Sequence, residues 1–577
     1  MRNPKRKSGR TLIFILGLLA VAAGAVALWR YFGQSHPLTV EPTRSVLAVT
    51  PPVIAGPDDL FEDVTARAGI QFVNQFCDTK IANILESNGA GGCWLDYDGD
   101  GLMDLFLVNS GPLDGVTHHA PGTARQPNRL YRNRGDGTFE DVTDKAGLRG
   151  EGYCTAAISA DYDNDGHPDL YVVGVGRSYL YHNRGDGTFE EVADKAGVAN
   201  LGGTGIGAVF LDADNDGKLD LFVANYLTFD PSYQLYYNPD AYPGPLSYKP
   251  QFNKLYRNRG DGTFEDVSKS SGIEIAGHRA MSVAVFDCNN DGFQDIYVSD
   301  DGTPNLLLVN DGHGHFKDMA AEAGMAFNAM GEAAGSMAAT IGDCNGDGRE
   351  DVLVTRFGYG SLYMGGTNGL YDDRMMASGL GALTAQFVGW GGCFLDFDNR
   401  GKLDIFIANG DAHYLVGWES LLLENRGDGT FTDAAAKGGT FFTTKIRGRG
   451  SAVADYDNDG RMDVVVTTIG DRPFLLHNRD KSGNHWLTID LEGTQANRDG
   501  FGAKVKVVAG GKTQMAEARC AFGFLMQSDR RLHFGLGQAD KVDRIEILWP
   551  DKQVQELTNL KADQILKVRE PGERKQP

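Results

Sequence analysis

Positive charge is in short supply in this 577-residue chain, with 55 Lys and Arg against 77 Asp and Glu and a formal net charge of −22. Nucleic acid is met through basic patches, so a nucleic-acid partner is set aside. Cysteine is also sparse. The seven cysteines (Cys77, Cys93, Cys154, Cys288, Cys344, Cys393 and Cys520) form no Cys-x-x-Cys pair and no Cys/His cluster that would suggest zinc or redox chemistry. Cys93 and Cys393 share one strand site in two repeats, and Cys288 and Cys344 one loop position, as small packing residues would. A disulfide in an oxidising compartment stays open, with no pairing readable. Long helical patterns are few, and no nucleophile elbow, HExxH or phosphate loop is present. Glycine is plentiful at 76 residues, which points to an all-β, turn-rich protein.

The most informative stretch is Asp96-Tyr97-Asp98-Gly99-Asp100-Gly101-Leu102-Met103-Asp104, with carboxylates at positions 1, 3, 5 and 9 and glycine at 6. A hard cation such as Ca²⁺ takes six to eight oxygens, and alternate residues of a tight turn can aim oxygens at one point. Short apolar runs flank the loop, so it joins two strands rather than two helices. Seven such loops recur at steps of roughly 50–75 residues. The expected ligands are Asp96, Asp98, Asp100 and Asp104, then Asp161, Asp163, Asp165 and Asp169, then Asp212, Asp214, Asp216 and Asp220. They continue with Asp287, Asn289, Asp291 and Asp295, with Asp343, Asn345, Asp347 and Asp351, and with Asp455, Asp457, Asp459 and Asp463. The sixth loop holds Asp396, Asp398 and Asp404 but puts Arg400 at position 5, so it is read as metal-free, its guanidinium standing in for the ion. Asp-Asn-Gly clusters also make ordinary turns, but seven in register argue for about six structural Ca²⁺ ions. Without cations the clustered carboxylates would repel one another and weaken the fold.

Along the chain, residues 1–36 carry a basic flank (Arg2, Lys5, Arg6, Lys7, Arg10) and an apolar run from Leu12 to Trp29. This is an export signal or a membrane anchor, and the extension to Trp29 and Arg30 favours an uncleaved anchor helix. Residues 37–59 read as a Pro-rich linker holding the body off the membrane. Residues 60–479 hold four-stranded repeats, which predicts a seven-bladed β-propeller. The seventh repeat ends near Asn478 without a fourth strand, and the orphan Phe61-Glu62-Asp63-Val64-Thr65 is expected to complete it and close the ring. Arg-Gly-Asp at Arg134, Arg184, Arg259 and Arg426 sits each time between third and fourth strands and reads as a hairpin turn rather than an integrin ligand. Insertions at 110–127 (with His118 and His119) and 226–252 lie between second and third strands. Tyr233, Tyr236, Tyr237, Tyr242 and Tyr248 of the second are candidate partner-binding residues, unless that loop packs on itself over a blade edge. Alternating runs across 480–570 suggest a small C-terminal β-sandwich, leaving 571–577 as a tail.

The repeats resemble the FG-GAP (VCBS-type) blades of integrin α-chain propellers. The segment Asn497-Arg498-Asp499-Gly500-Phe501-Gly502-Ala503-Lys504-Val505, with Ser528 and Leu532-His533-Phe534-Gly535-Leu536-Gly537, looks like an ASPIC/UnbV domain. This pairing is similar to the cartilage acidic protein family. The resemblance implies an exported, Ca²⁺-binding propeller that acts in adhesion or binding of a protein or glycan ligand, with no catalytic residues carried over. The sequence therefore supports a cell-envelope binding module anchored by its N-terminal helix, or secreted if the signal is cleaved. An envelope hydrolase or lyase using the propeller pocket is the alternative, with His118, His119, Glu332, Asp411 and His413 as its candidates. A purely structural Ca²⁺ scaffold is the third reading.

Overall fold

The structure, a computed structural model, describes residues 47–76, 78, 80–113, 116–117, 124–150, 152–233, 242–520 and 523–573. Leu47–Pro577 group as one compact unit, and the expected anchor segment lies outside the described residues. Among the described residues no helix is long and apolar enough to cross a membrane.

The protein is mostly β. In the first repeat, Gly92–Leu95, Asp104–Leu107, Arg129–Asn133 and Phe139–Asp141 pair in chain order as antiparallel strands. The first two strands are buried on both faces, which is why they read as unbroken apolar runs. The third is half-buried at Arg129 and Arg132 and buried elsewhere, and the fourth buries only its leading Phe139. Six further four-stranded units follow among the described residues, the fourth and fifth joined into one sheet. The seventh unit consists of Gly448–Ala454, Asp463–Thr468, Phe474–Asn478 and, from the other end of the chain, Phe61–Asp63, with Phe61 opposite Asn478.

Neighbouring units share apolar cores. The seventh and the first do so too, through Val64, Trp94, Leu105, Tyr456 and Val465, with the Trp94 and Tyr456 rings stacked at 6.3 Å. Because each unit is an antiparallel meander, its aspartate-rich loop and its third-to-fourth-strand turn lie at one end. The second-to-third-strand insertions lie at the other. The Arg-Gly-Asp segments are tight turns, with Gly135 and Gly137 at φ of 72° and 80° and the Asp136 carboxylate accepting from the amide and hydroxyl of Thr138.

Two expectations change. From Leu47 onward the presumed linker is not a free spacer. The Asp471 carboxylate accepts from the amide of Thr50 at 2.8 Å, Arg472 donates to the carbonyls of Thr50 and Pro51, and Arg479 reaches Gly56. Two tyrosines of the tyrosine-rich insertion are internal rather than free for a partner. Tyr242 and Tyr248 are buried in the main core, because the loop folds back through the strand pair Leu227–Thr228 and Lys249–Pro250. Tyr233 is exposed at 42%, while Tyr236 and Tyr237 lie outside the described residues, as do His118 and His119.

The C-terminal part forms a three-stranded and a four-stranded sheet over a shared core that includes Leu487, Val505, Phe534, Ile545 and Trp549. One of its segments leaves that core altogether. Met526–Gln527 pairs in parallel with the first strand of the first unit. Around it, Gln527 bonds Ser159, Gly523 accepts from the Ser282 hydroxyl, Phe524 packs on Trp390 at 5.2 Å, and Ser528 accepts from Val453. The first strands of five units thus converge on one tail segment.

Candidate metal centres

Each loop is built the same way. The position-1 carboxylate accepts the amides of positions 5 and 6, as at Asp96 from Asp100 (3.1 Å) and Gly101 (2.9 Å), and at Asp455 from Asp459 and Gly460 (both 2.9 Å). That arrangement forces a left-handed residue at position 4. Gly99 and Gly346 supply it in two loops, and Asn164, Asn215, Asn290, Asn399 and Asn458 supply it in the others, all at positive φ. Only Gly, and Asn at small cost, adopt this region readily. Position 6 is glycine in all seven loops for the same reason.

The position-9 carboxylates are the most deeply buried members. Asp104, Asp169, Asp295, Asp351, Asp404 and Asp463 have no solvent exposure. Burial pushes Asp104 up to about 8, and Asp169, Asp295, Asp351 and Asp463 up to about 7. Burial likewise raises Asp161 to about 8, helped by the charge of Asp499, and Asp455 to about 8, helped by Asp463. Carboxylates so placed are costly as anions unless a cation joins them. In the first, second and third loops, three carboxylates bring oxygens within 4.8 Å of one another (Asp96, Asp98, Asp104; Asp161, Asp163, Asp165; Asp212, Asp214, Asp216). The oxygen donors, their convergence and the burial of several carboxylates, only part of whose charge is met by neighbours such as Arg132 and Arg257, fit a hard divalent cation.

In the sixth loop, Arg400 fills the centre. Its Nε lies 2.9 Å from Asp398, one terminal nitrogen lies 2.9 Å from Glu424, and the other bonds Asp404. Lys437 adds a contact to Asp398 at 3.1 Å. The charges are exchanged relative to the first loop, where Asp100 holds position 5 and Arg132 the third-strand place that Glu424 takes here.

A second set of residues ties the loops together and has no signal in the carboxylate pattern. The position-9 carboxylate accepts the amide of a third-strand asparagine, as Asp169 does from Asn183 at 2.8 Å. That asparagine's side chain donates to its own loop and to position 2 of the preceding unit's loop. Asn183 reaches Tyr97, Asn258 reaches Tyr162, Asn310 reaches Ala213, Asn425 reaches Cys344 and Asn478 reaches Phe397. Asn133 reaches Tyr456 and so links the first loop to the seventh. The fifth unit has Gly365 at this place, and there the Tyr371 hydroxyl donates to Cys288 O instead. The asparagine recurs beside the arginine of each Arg-Gly-Asp turn, which is the signal that could have revealed it.

The tail rests on these loops. Lys504 Nζ lies 2.7 Å from both Asp287 and Asn290, and Arg498 donates its amide to Asn164. Arg531 bonds Asn458 and the Asp455 carbonyl. His533 Nε2 donates to Asn399 at 2.7 Å, and Arg519 pairs with Glu350.

The FG-GAP-like repeat pattern matches residues 96–172, 161–223, 246–298, 287–354 and 396–466, together more than half of the chain. The chain belongs to the FG-GAP-like repeat family. Residues 493–575 match the ASPIC and UnbV pattern. Among known proteins, this FG-GAP-like chain is similar to cartilage acidic protein 1 of Homo sapiens, 26% identical over 358 residues, covering 59% of this chain and 50% of that protein. The Xenopus tropicalis protein of the same name is 25% identical over 311 residues, covering 52% and 38%. The chain thus spans about half or less of the length of these relatives. Among solved structures, an Agrocybe aegerita lectin described as recognising non-reducing terminal N-acetylglucosamine aligns with a TM-score of 0.36 and 19% identity, covering 59% of this chain and 79% of that one. The exotype rhamnogalacturonan lyase YesX aligns at 0.34 and 13%, covering 73% and 76%.

Of the enzyme candidates, three lie among the described residues. Glu332 is exposed on the connection between the fourth and fifth units. Asp411 takes the amides of His413 and Tyr414, and His413 stacks on Tyr242 at 5.2 Å. All six described cysteines are buried free thiols.

Proposed function

We propose that this FG-GAP-like chain is an exported, membrane-anchored binding or adhesion module, a seven-bladed propeller riveted by Ca²⁺ and directed at a protein or glycan ligand outside the cytoplasm. The closed set of loop-to-loop links supports it most, because six asparagines and, at the fifth unit, Tyr371 bond each loop to the next and the seventh to the first. Filling one loop then stiffens two units, and millimolar extracellular calcium suffices for such sites. Calcium acts here as a strut. The ligand oxygens come from the loop itself, and the tail covers that end, so the opposite end is left for a partner. That end carries exposed Phe357, Tyr414, Val416 and Leu246, the kind of apolar and aromatic surface used to meet a ligand.

An envelope enzyme would need an open central pocket; the tail segment around Phe524–Gln527 occupies the convergence of the first strands, and the cavity of about 530 Å³ that remains lies between the tail and the fourth to seventh units. The purely structural reading differs from the binding module only in having no ligand. The test is retention of the full chain on a glycan array and on immobilised extracellular proteins, with Ca²⁺ or with chelator. Calcium-dependent retention that falls at least tenfold in Phe357→Ala/Tyr414→Ala is expected. Retention indifferent to chelator, or none at all, would favour the scaffold, and turnover of an arrayed glycan would favour the enzyme.

A further inference from the structure

The third strand sets a side chain over each loop, and its chemistry varies from loop to loop. Arg132 and Arg257 hold that place at the first and third loops, Val309 and Met364 at the fourth and fifth, and His182 and His477 at the second and seventh. The two histidines are placed alike. His182 Nδ1 lies 3.2 Å from Asp163 Oδ2 and 3.2 Å from Asp169 Oδ1. His477 Nδ1 lies 3.2 Å from Asp463 Oδ1 and 3.7 Å from Asp457 Oδ2. In each triad the nitrogen and the two oxygens fall within 4.8 Å of one another. Two ligands held by one metal at about 2.0–2.2 Å stand roughly 3–3.5 Å apart, the separation these donors already have.

The seventh loop carries a further sign. Asp463 is fully buried and its Oδ2 has no hydrogen-bond partner, and neither has the buried Asp457 Oδ1. In the first and second loops the equivalent position-9 oxygen is taken by the amide of position 2, from Tyr97 and Tyr162. The seventh loop thus keeps an unused carboxylate oxygen in the same group as an imidazole nitrogen. Ca²⁺ takes oxygen ligands, whereas imidazole beside carboxylate suits borderline first-row cations.

We propose that the second and seventh loops are sites for a borderline divalent cation of the zinc class, held by Asp163, Asp169 and His182 and by Asp457, Asp463 and His477, while the histidine-free loops take calcium. This rests on the reading of the loops as cation sites but assigns two of them a different ion. The chain then holds two kinds of rivet, both bonded into the same ring of loop-to-loop links.

The full chain is loaded with Zn²⁺ in excess Ca²⁺, cleared of loose metal by a weak chelator and gel filtration, and its bound zinc and calcium counted. Two zinc ions per chain are expected, one in His182→Gln, one in His477→Gln and none in the double variant. Calcium-dependent melting should survive in all three, which shows that they fold. Wild-type protein that keeps calcium but no zinc, or variants that keep both zinc ions, would overturn the assignment and leave the histidines as counterions like Arg132. Loss of both metals from wild type would instead bring down the calcium reading itself.

Discussion

At the scale of single residues, Arg400 shows how one side chain closes a carboxylate loop on itself. Its guanidinium meets Asp398, Asp404 and Glu424, and it also lies 5.6 Å from the Phe397 ring centroid. Removing it leaves three carboxylates facing one another, two of them buried or nearly so. Arg400→Asp should therefore cost roughly 3 kcal/mol in chelator, near the lower end for breaking a buried ion pair, because the side chain retains 21% exposure. Added Ca²⁺ should recover much of that loss, since the change restores carboxylates at positions 1, 3, 5 and 9. Urea unfolding with and without calcium, together with a calcium count, checks both halves. A variant that stays calcium-indifferent, with no extra ion bound, would show that Glu424 and Lys437 still close the site. Arg400 is legible in the sequence because it breaks a pattern repeated six times. Its partner Glu424 is not, because it lies a strand away.

At the scale of elements, the asparagine on each third strand does more than end a strand. Asn258 is buried, and its side-chain amide holds the carbonyls of Tyr162 in one unit and Leu219 in its own. Asn258→Ala would strand both carbonyls in the interior, at about 1–3 kcal/mol for an unsatisfied buried group. Tyr371→Phe in the fifth unit should cost about 1 kcal/mol, since one neutral hydrogen bond is lost there. Chemical denaturation of both variants tests the ranking, and an Asn258→Ala protein as stable as wild type would refute the linking role. The strands themselves were readable. Apolar runs mark the first two, and a Phe-led segment marks the fourth, down to the orphan copy at Phe61 that pairs with Phe474–Asn478. The links were harder to see because a single polar residue inside a strand looks the same whether it faces water or a neighbouring loop. The tyrosines of the insertion were ambiguous for a related reason. Aromatic residues in a long loop serve a ligand or a core equally well, and only the fold-back that buries Tyr242 and Tyr248 decides.

At the scale of the whole molecule, the return of the strand at Phe61 to the seventh unit is legible in the sequence, whereas the insertion of a tail segment among the repeats is not. Residues Thr50 to Asp63 complete the seventh unit, and the tail sends Phe524–Gln527 among the first strands. That segment has no periodicity because its partners come from five units rather than from a regular neighbour. The seam between tail and repeats offers a test through His533. Its Nε2 donates to Asn399, its Nδ1 accepts from the Thr488 hydroxyl, and its ring stacks with Trp486 at 6.2 Å. Both bonds suit the neutral ring, and burial, aided by the charge of Arg531, pushes the imidazole down to about 4. Above about 6.5, the ordinary value for histidine, the ring is neutral whether folded or unfolded, and the seam is at full strength. As pH falls from there toward 4, the unfolded chain takes a proton that the folded one refuses, so stability drops. With calcium in excess, the denaturation midpoint should fall between pH 6.5 and 4.5, and the fall should be smaller in His533→Gln, which keeps an amide donor but cannot titrate. An identical slope in the two proteins would mean that His533 accepts its proton in place, and that the acid sensitivity of the seam lies in the carboxylates it covers.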